Sequence, residues 1–163
     1  MERHTEWRIL EAPYAPTPED AVSTALKLAS LKKGELLYDL GCGDGRVLFT
    51  AARDFCARAV GFEIQHKLVE EARARIHEAG LEDVAVILER DFFNMDLSDA
   101  DVVFVYLTPS VMMALGDKLR RELKDDSRVV AYRYPIRGWA FCSFGSDSSG
   151  HGLFLYRIPE SRL

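Results

Sequence analysis

The sequence is short of cysteine. It has three, Cys42, Cys56 and Cys142, among 163 residues. An odd, scattered set without metal-type spacing excludes a disulfide framework and points to a reducing cytoplasm. Each of the three reads as a small buried apolar residue. Long apolar runs are also missing. The longest, Val102 to Leu107, is far shorter than a membrane span, and Met1-Glu2-Arg3-His4 leads into no run of signal-peptide length. The expectation is a soluble cytoplasmic protein that engages no membrane. His4, His66, His77 and His151 are scattered, and no His–Cys cluster has ligand spacing, so no metal is expected. His66 and His77 fall on a predicted helix, on its surface. Neither a Ser-His-Asp set nor a phosphate-binding lysine loop is present. Positive charge is in deficit: 21 Lys and Arg stand against 26 Asp and Glu, a net charge of −5. That balance disfavours nucleic acid and suits neutral or basic partners, including lysine-bearing proteins.

There is no internal repeat and no low-complexity linker. A chain of 163 residues suits one domain, 1–163, with 1–33 as an N-terminal arm and helix. A chain this long buries roughly two-thirds of its unfolded surface and needs no staple. A monomer is expected.

Pro13, Pro16 and Pro18 break residues 1–16 into an irregular arm. Thr17 is placed to cap a helix with Pro18 at its first position and Glu19 and Asp20 in its first turn. The helix runs to about Leu31, with Val22, Leu26 and Ala29 on one face. Strands are predicted at 36–40, 57–62, 84–88, 101–107 and 128–132. Helices fill about 46–54, 65–79 and 111–123, and Gly80 stops the second of these. Two short apolar runs, 141–144 and 153–156, flank a turn-rich stretch and predict a terminal β-hairpin. Alternating strands and helices imply a parallel sheet with helices on both faces, closed by an antiparallel strand.

The chemistry lies in Leu36-Leu37-Tyr38-Asp39-Leu40-Gly41-Cys42-Gly43-Asp44-Gly45-Arg46-Val47, where a buried strand ends in a glycine loop that opens a helix. Ligands of open α/β sheets bind beyond such strand ends. The spacing is Gly-x-Gly-x-Gly, not the Gly-x-Gly-x-x-Gly of dinucleotide sites. Asp39 stands two residues before the first glycine, where it would oppose a pyrophosphate and favour a ligand carrying an amine and a sulfonium. That ligand is S-adenosylmethionine, held at Asp39, Gly41, Cys42 and Gly43. Glu63 ends the second strand, where its carboxylate can accept both ribose hydroxyls. Asp91 can take the adenine amino group while an aromatic, Phe92, stacks on the ring. Tyr106 and Thr108 follow the fourth strand, opposite the transferable methyl, and are the candidates to line the acceptor channel and position the acceptor. No Asn-Pro-Pro-Tyr motif stands there, which argues against a nucleobase N-methyltransferase.

These motifs resemble the class I S-adenosylmethionine-dependent methyltransferases along nearly the whole chain. Ala12-Pro13-Tyr14-Ala15-Pro16-Thr17-Pro18-Glu19, the glycine loop, and Arg128 through Arg133-Tyr134-Pro135-Ile136-Arg137-Gly138-Trp139 look like the archaeal broad-specificity protein-lysine methyltransferases, relatives of mitochondrial and Dot1-like enzymes. The resemblance implies a Rossmann-like α/β fold: a mostly parallel seven-stranded sheet, helices on both faces and a C-terminal antiparallel hairpin. It implies methyl transfer to protein lysines. It also implies that Tyr14 and Thr17 close the methionine end of the cofactor, where the helix start could donate N–H groups to the carboxylate. The rivals are a small-molecule or RNA methyltransferase on the same fold, and a non-catalytic cofactor-binding subunit.

Overall fold

The structure, a computed structural model, describes residues 14–159 and the backbone of residues 161 and 162. Residues 1–13 of the expected arm lie outside the described residues. Helix α1 spans Glu19–Leu28 and strand β1 Leu36–Leu40. Then come α2 Arg46–Phe55, β2 Arg58–Glu63, α3 His66–Glu78 and β3 Ala85–Glu89. A 3-10 turn at Phe92–Asn94 leads to β4 Val102–Val105, α4 Pro109–Glu122 and β5 Arg128–Tyr132. The chain ends in β6 Trp139–Ala140, β7 Ser143–Ser146, β8 Gly152–Arg157 and β9 Ser161–Arg162.

Seven strands form one sheet in the order β3-β2-β1-β4-β5-β8-β7. The first five are parallel, and β8 and β7 add antiparallel to β5. This is the mixed sheet of the Rossmann-like class I methyltransferase fold. The period-2 alternation of the central strands sorts their side chains into two cores. Leu37, Val102, Phe104 and Val130 pack with α1, α2 and α3 on one face. Leu40, Val103, Val105 and Val129 pack with α4, Phe92 and Trp139 on the other. Val102–Val105 is buried throughout, as a strand covered on both faces requires. Chain order reverses between β1 and β4, so a crevice opens beyond their carboxyl ends.

Three expectations need correction. Pro18, not Thr17, is the N-cap of α1, and no side chain caps it; Thr17 instead gives its carbonyl oxygen to the Arg46 guanidinium at 3.1 Å. The helix stops at Leu28, and Ser30 follows in a left-handed turn (φ 51°). Only Cys42 is buried; Cys56 and Cys142 are exposed. Cys56 sits at the left-handed C-cap of α2, a position set by the turn and not by packing. The small pairing of β6 with β9 was not expected, because two-residue strands carry no alternation to read. His66 and His77 are exposed, as expected, each beside a glutamate, Glu89 and Glu82. Among the described residues no helix is long and apolar enough to cross a membrane. Nor does any group of His, Cys, Asp and Glu among them form a metal site.

Candidate cofactor and acceptor site

The glycine loop turns sharply because Gly41, Gly43 and Gly45 take φ of 79°, 54° and 79°, a region open to glycine and costly for other residues. Its backbone is tied to the neighbouring strand. The N–H groups of Gly41 and Cys42 both donate to the carbonyl of Phe62 at 2.9 Å. Gly43 N–H donates to Glu63 Oε1 at 2.9 Å. The other oxygen of Glu63 accepts from the N–H groups of Ile64 (2.9 Å) and Gln65 (3.0 Å). A carboxylate offers about four lone-pair sites. Three are taken by the backbone, which leaves one on Oε1 open.

Asp44 locks the far side of the loop. Its carboxylate accepts from Arg46 Nε (3.0 Å) and Nη2 (2.7 Å) and from Arg75 Nη2 (3.2 Å). Burial pushes its pKa up, but the two guanidinium groups overcome that and hold it below the usual carboxylate value. Arg46 also reaches the Thr17 carbonyl, which brings the arm against the loop. Tyr14, 44 % exposed, then lies over Gly43 so closely that a Cβ there would stand 2.7 Å from Tyr14 Cε2.

These pieces surround a cavity of about 270 Å³. Its floor and cofactor end are Asp39, Gly41, Cys42, Gly43, Val47, Glu63 and Gln65, and the arm residues Tyr14 through Thr17 form one wall. Phe104, Tyr106, Leu107 and Thr108 from the β4 end, with Arg133 and Tyr134 from the β5 end, form the opposite wall. Asp39 is only 2 % exposed. Burial, then the charges of Glu63 and Asp44, push its pKa well above the ordinary value. Burial also raises the Cys42 thiol, helped by Asp39 and Glu63, so Cys42 is a small packing residue and not a nucleophile.

The acceptor wall is aromatic. Tyr106 meets Tyr132 edge-on with centroids 4.8 Å apart and stacks near Tyr134 at 6.5 Å. Tyr132 is buried, and its hydroxyl donates to Asp147 Oδ2 at 2.6 Å. Asp147 in turn accepts the N–H groups of Ser149 and His151, and Asp20 of α1 accepts that of Ser148. The β7–β8 turn therefore braces Tyr132, and Tyr132 braces Tyr106. Thr108 is the N-cap of α4, with its hydroxyl 3.3 Å from that of Ser110.

Asp91 and Phe92 stand apart from this cavity. Asp91 caps the 3-10 turn through Oδ1, which accepts from Phe93 N–H at 2.9 Å. Its Oδ2 is buried with no partner. Phe92 is 2 % exposed and belongs to the core under α4, so it has no free face for a purine. The expected stacking role is corrected to a core role; the partly exposed ring at this place is its neighbour Phe93. The residues fit S-adenosylmethionine: Asp39 is a buried carboxyl that a cationic group would suit and Glu63 keeps one open lone pair, while Asp91 Oδ2, buried and unpartnered, lies outside the cavity. Sequence reasoning placed Tyr14, Thr17, Asp39, Gly41, Cys42, Gly43, Glu63, Tyr106 and Thr108 on one cavity. It missed Asp44 with Arg46, and Arg133 with Tyr134. The strand-end rule that found Tyr106, applied to β5, would have found the second pair.

The chain matches the family described as the ANTKMT methyltransferase domain over residues 39–143. It belongs to that family. The enzyme is therefore an S-adenosylmethionine-dependent methyltransferase. It is 40 % identical to a protein-lysine N-methyltransferase of Saccharolobus islandicus, over 92 % of this chain and 96 % of that one. It is 35 % identical to the adenine nucleotide translocase lysine N-methyltransferase of Mus musculus, over 93 % of this chain and 73 % of that one. A crystal structure described as an RNA methyltransferase from Salinibacter ruber, in complex with S-adenosyl-L-homocysteine, superposes with a TM-score of 0.87. It shares 38 % identity and covers 91 % of this chain and 97 % of that one.

Proposed function

We propose that this methyltransferase modifies lysine side chains of other proteins. The observation that carries the proposal is the wall of Tyr106, Leu107, Thr108 and Tyr134 beyond the cofactor bed, which suits a long aliphatic chain ending in an amine. The archaeal and mouse relatives, both named for lysine, support it. Bound on the loop, S-adenosylmethionine supplies a methyl group on a sulfonium, which leaves with the C–S electron pair as S-adenosylhomocysteine. The acceptor nitrogen needs its lone pair to form the new N–C bond, so it must first lose a proton. With a reference lysine pKa of about 10.4, that costs about 4–5 kcal/mol at pH 7. An apolar wall lowers the cost, because desolvation disfavours the ammonium. Water can carry the proton away. Tyr106 and Thr108 then hold the amine in line, which supplies most of the acceleration.

The Salinibacter ruber neighbour, described as an RNA methyltransferase, favours RNA as a second reading. Against it stand the net charge of −5 and the commitment of Arg46 and Arg75 to Asp44. The test incubates the purified enzyme and labelled cofactor with a lysine-rich protein mixture and, separately, with total RNA, then maps modified residues by mass spectrometry. Lysines gaining methyl groups support the proposal. Label on RNA alone, or no protein label while S-adenosylhomocysteine still binds, overturns it. We further propose a cytoplasmic monomer, on composition alone; light scattering at twice the chain mass of 18.4 kDa would contradict the second part.

A further inference from the structure

Three of the charged groups on the cavity wall, Asp44, Arg46 and Glu63, have an opposite charge or a set of hydrogen-bonding partners. Asp44 is matched by Arg46 and Arg75. Glu63 is held by three backbone N–H groups. Asp39 lies at the cofactor end, buried below the loop. On the acceptor wall stands Arg133, an exposed side chain. Among the described residues no carboxylate pairs with it. Its Nη1 donates to Tyr106 Oη at 3.4 Å, and its guanidinium lies 5.8 Å from the Tyr134 ring centre. Its backbone is held left-handed (φ 70°) by the N–H bond to the Gly152 carbonyl at 2.7 Å. Left-handed non-glycine residues persist where the surroundings over-determine them, and they cluster at functional sites.

We infer that Arg133 is the fixed positive charge that drives the incoming lysine into its neutral, reactive form. The inference rests on the lysine reading above. The guanidinium contacts Tyr106 and Tyr134, two rings of the wall proposed to receive the lysine chain, so an arriving ammonium meets a like charge there. A like charge at such range disfavours protonation. Of the acids lining the same cavity, Asp44 is paired with Arg46 and Arg75, Glu63 is held by three backbone N–H groups, and Asp39 lies at the cofactor end. From β5 and the β7–β8 turn, Tyr132 is hydrogen-bonded to Asp147, and Asp147 has His151 beside it at 3.4 Å. From the β4 end come only Leu107 and the hydroxyl of Thr108, and from the arm Tyr14. The chemistry needs this help: the ammonium has no lone pair, and no carboxylate or imidazole on the acceptor wall stands ready to take its proton.

The test measures single-turnover rates from pH 6.5 to 10 on the most heavily labelled protein of the assay above, for the wild type, R133Q and R133K. In R133Q the acid limb should move up by about one unit, giving roughly tenfold slower transfer at pH 7 and convergence with the wild type near pH 10. R133K keeps the charge and should keep the wild-type limb up to pH 9. A second readout needs no turnover. The same protein is titrated into enzyme holding S-adenosylhomocysteine, in buffers of different ionisation enthalpy. The wild type should release more protons on binding than R133Q. A loss that is equal at every pH, or equal proton release, overturns the inference, provided S-adenosylhomocysteine binding shows the variant folded. R133G, which removes the charge and relaxes the backbone, should behave as R133Q. If the wild type labels no protein lysine, the function proposal itself has failed; if it does and R133Q runs parallel, only this inference has.

Discussion

Glu63→Gln separates two roles that one carboxylate plays. The wild-type oxygens accept three backbone N–H groups at 2.9–3.0 Å and keep one lone-pair site open. An amide has one accepting end only. The better orientation leaves the oxygen on Ile64 and Gln65 and turns the NH₂ group toward Gly43 N–H, donor against donor. Leaving a buried donor unsatisfied costs about 1–3 kcal/mol. For a chain of this length that is a fall in Tm of about 2–4 °C per kcal/mol. The charge-assisted ribose bond is lost as well, because the open site belonged to the charged oxygen facing Gly43. A hydrogen bond to a charged group contributes about 1.5–3 kcal/mol, so S-adenosylhomocysteine should bind one to two orders of magnitude more weakly. Thermal denaturation reads the first effect and titration calorimetry the second. A folded E63Q enzyme that binds within threefold of the wild type would refute the reasoning and leave Glu63 as a loop anchor alone.

Three more perturbations follow from the same geometry. Gly43→Ala places a methyl group 2.7 Å from Tyr14 at a φ of 54°; Tyr14 can swing away, but the left-handed backbone costs about 1–2 kcal/mol, so calorimetry should show weaker cofactor binding and denaturation a lower Tm. Cys56→Gly relieves a φ of 54° at an exposed helix end and should raise stability by about 0.5–1 kcal/mol in urea titrations; no gain would mean the turn is unstrained. Asp39 has a raised folded pKa through burial first and its acidic neighbours second, so its favourable contribution is present below the unfolded value and is lost as pH rises through the folded one. A cationic ligand wants the ionised form, so S-adenosylmethionine affinity should rise with pH across that window, and D39N should abolish the slope. An unchanged slope in D39N would assign the effect elsewhere.

The parts of this molecule that were legible in its sequence are those written in a strong local code. The apolar run at 102–105 and the helical spacing of Leu115 and Leu119 announce burial on two faces and on one. The glycines at 41, 43 and 45 announce a turn that other residues would resist. What stayed hidden depends on contacts distant in sequence. The Thr17–Arg46 bond spans 29 residues and Tyr132–Asp147 spans 15, and neither has a periodicity that could be read. Phe92 and Phe93 are adjacent aromatics with opposite fates. Which ring faces the core is set by the 3-10 turn that Asp91 caps, and the letters alone do not fix its phase. Arg133 was quoted as part of a motif but given no role, because nothing in a sequence shows that a cation has no acid beside it.

The same reasoning explains why the two ends of the cavity differ in charge. At the loop, a buried Asp39, its pKa raised by burial and its acidic neighbours, prepares a place where a cation is welcome. At the acceptor wall, the unmatched Arg133 prepares a place where a cation is not. The enzyme needs both, since the methyl donor must arrive charged and the acceptor amine must not. Removing the charge at either end should therefore hurt in different ways. D39N should weaken cofactor binding most, with the acid limb of transfer unmoved. R133Q should move that limb and leave cofactor binding intact. A double variant whose effects on binding and on the limb simply add would show the two ends acting independently. Strong non-additivity would mean that the donor's own positive charge, and not Arg133, dominates the field at the amine.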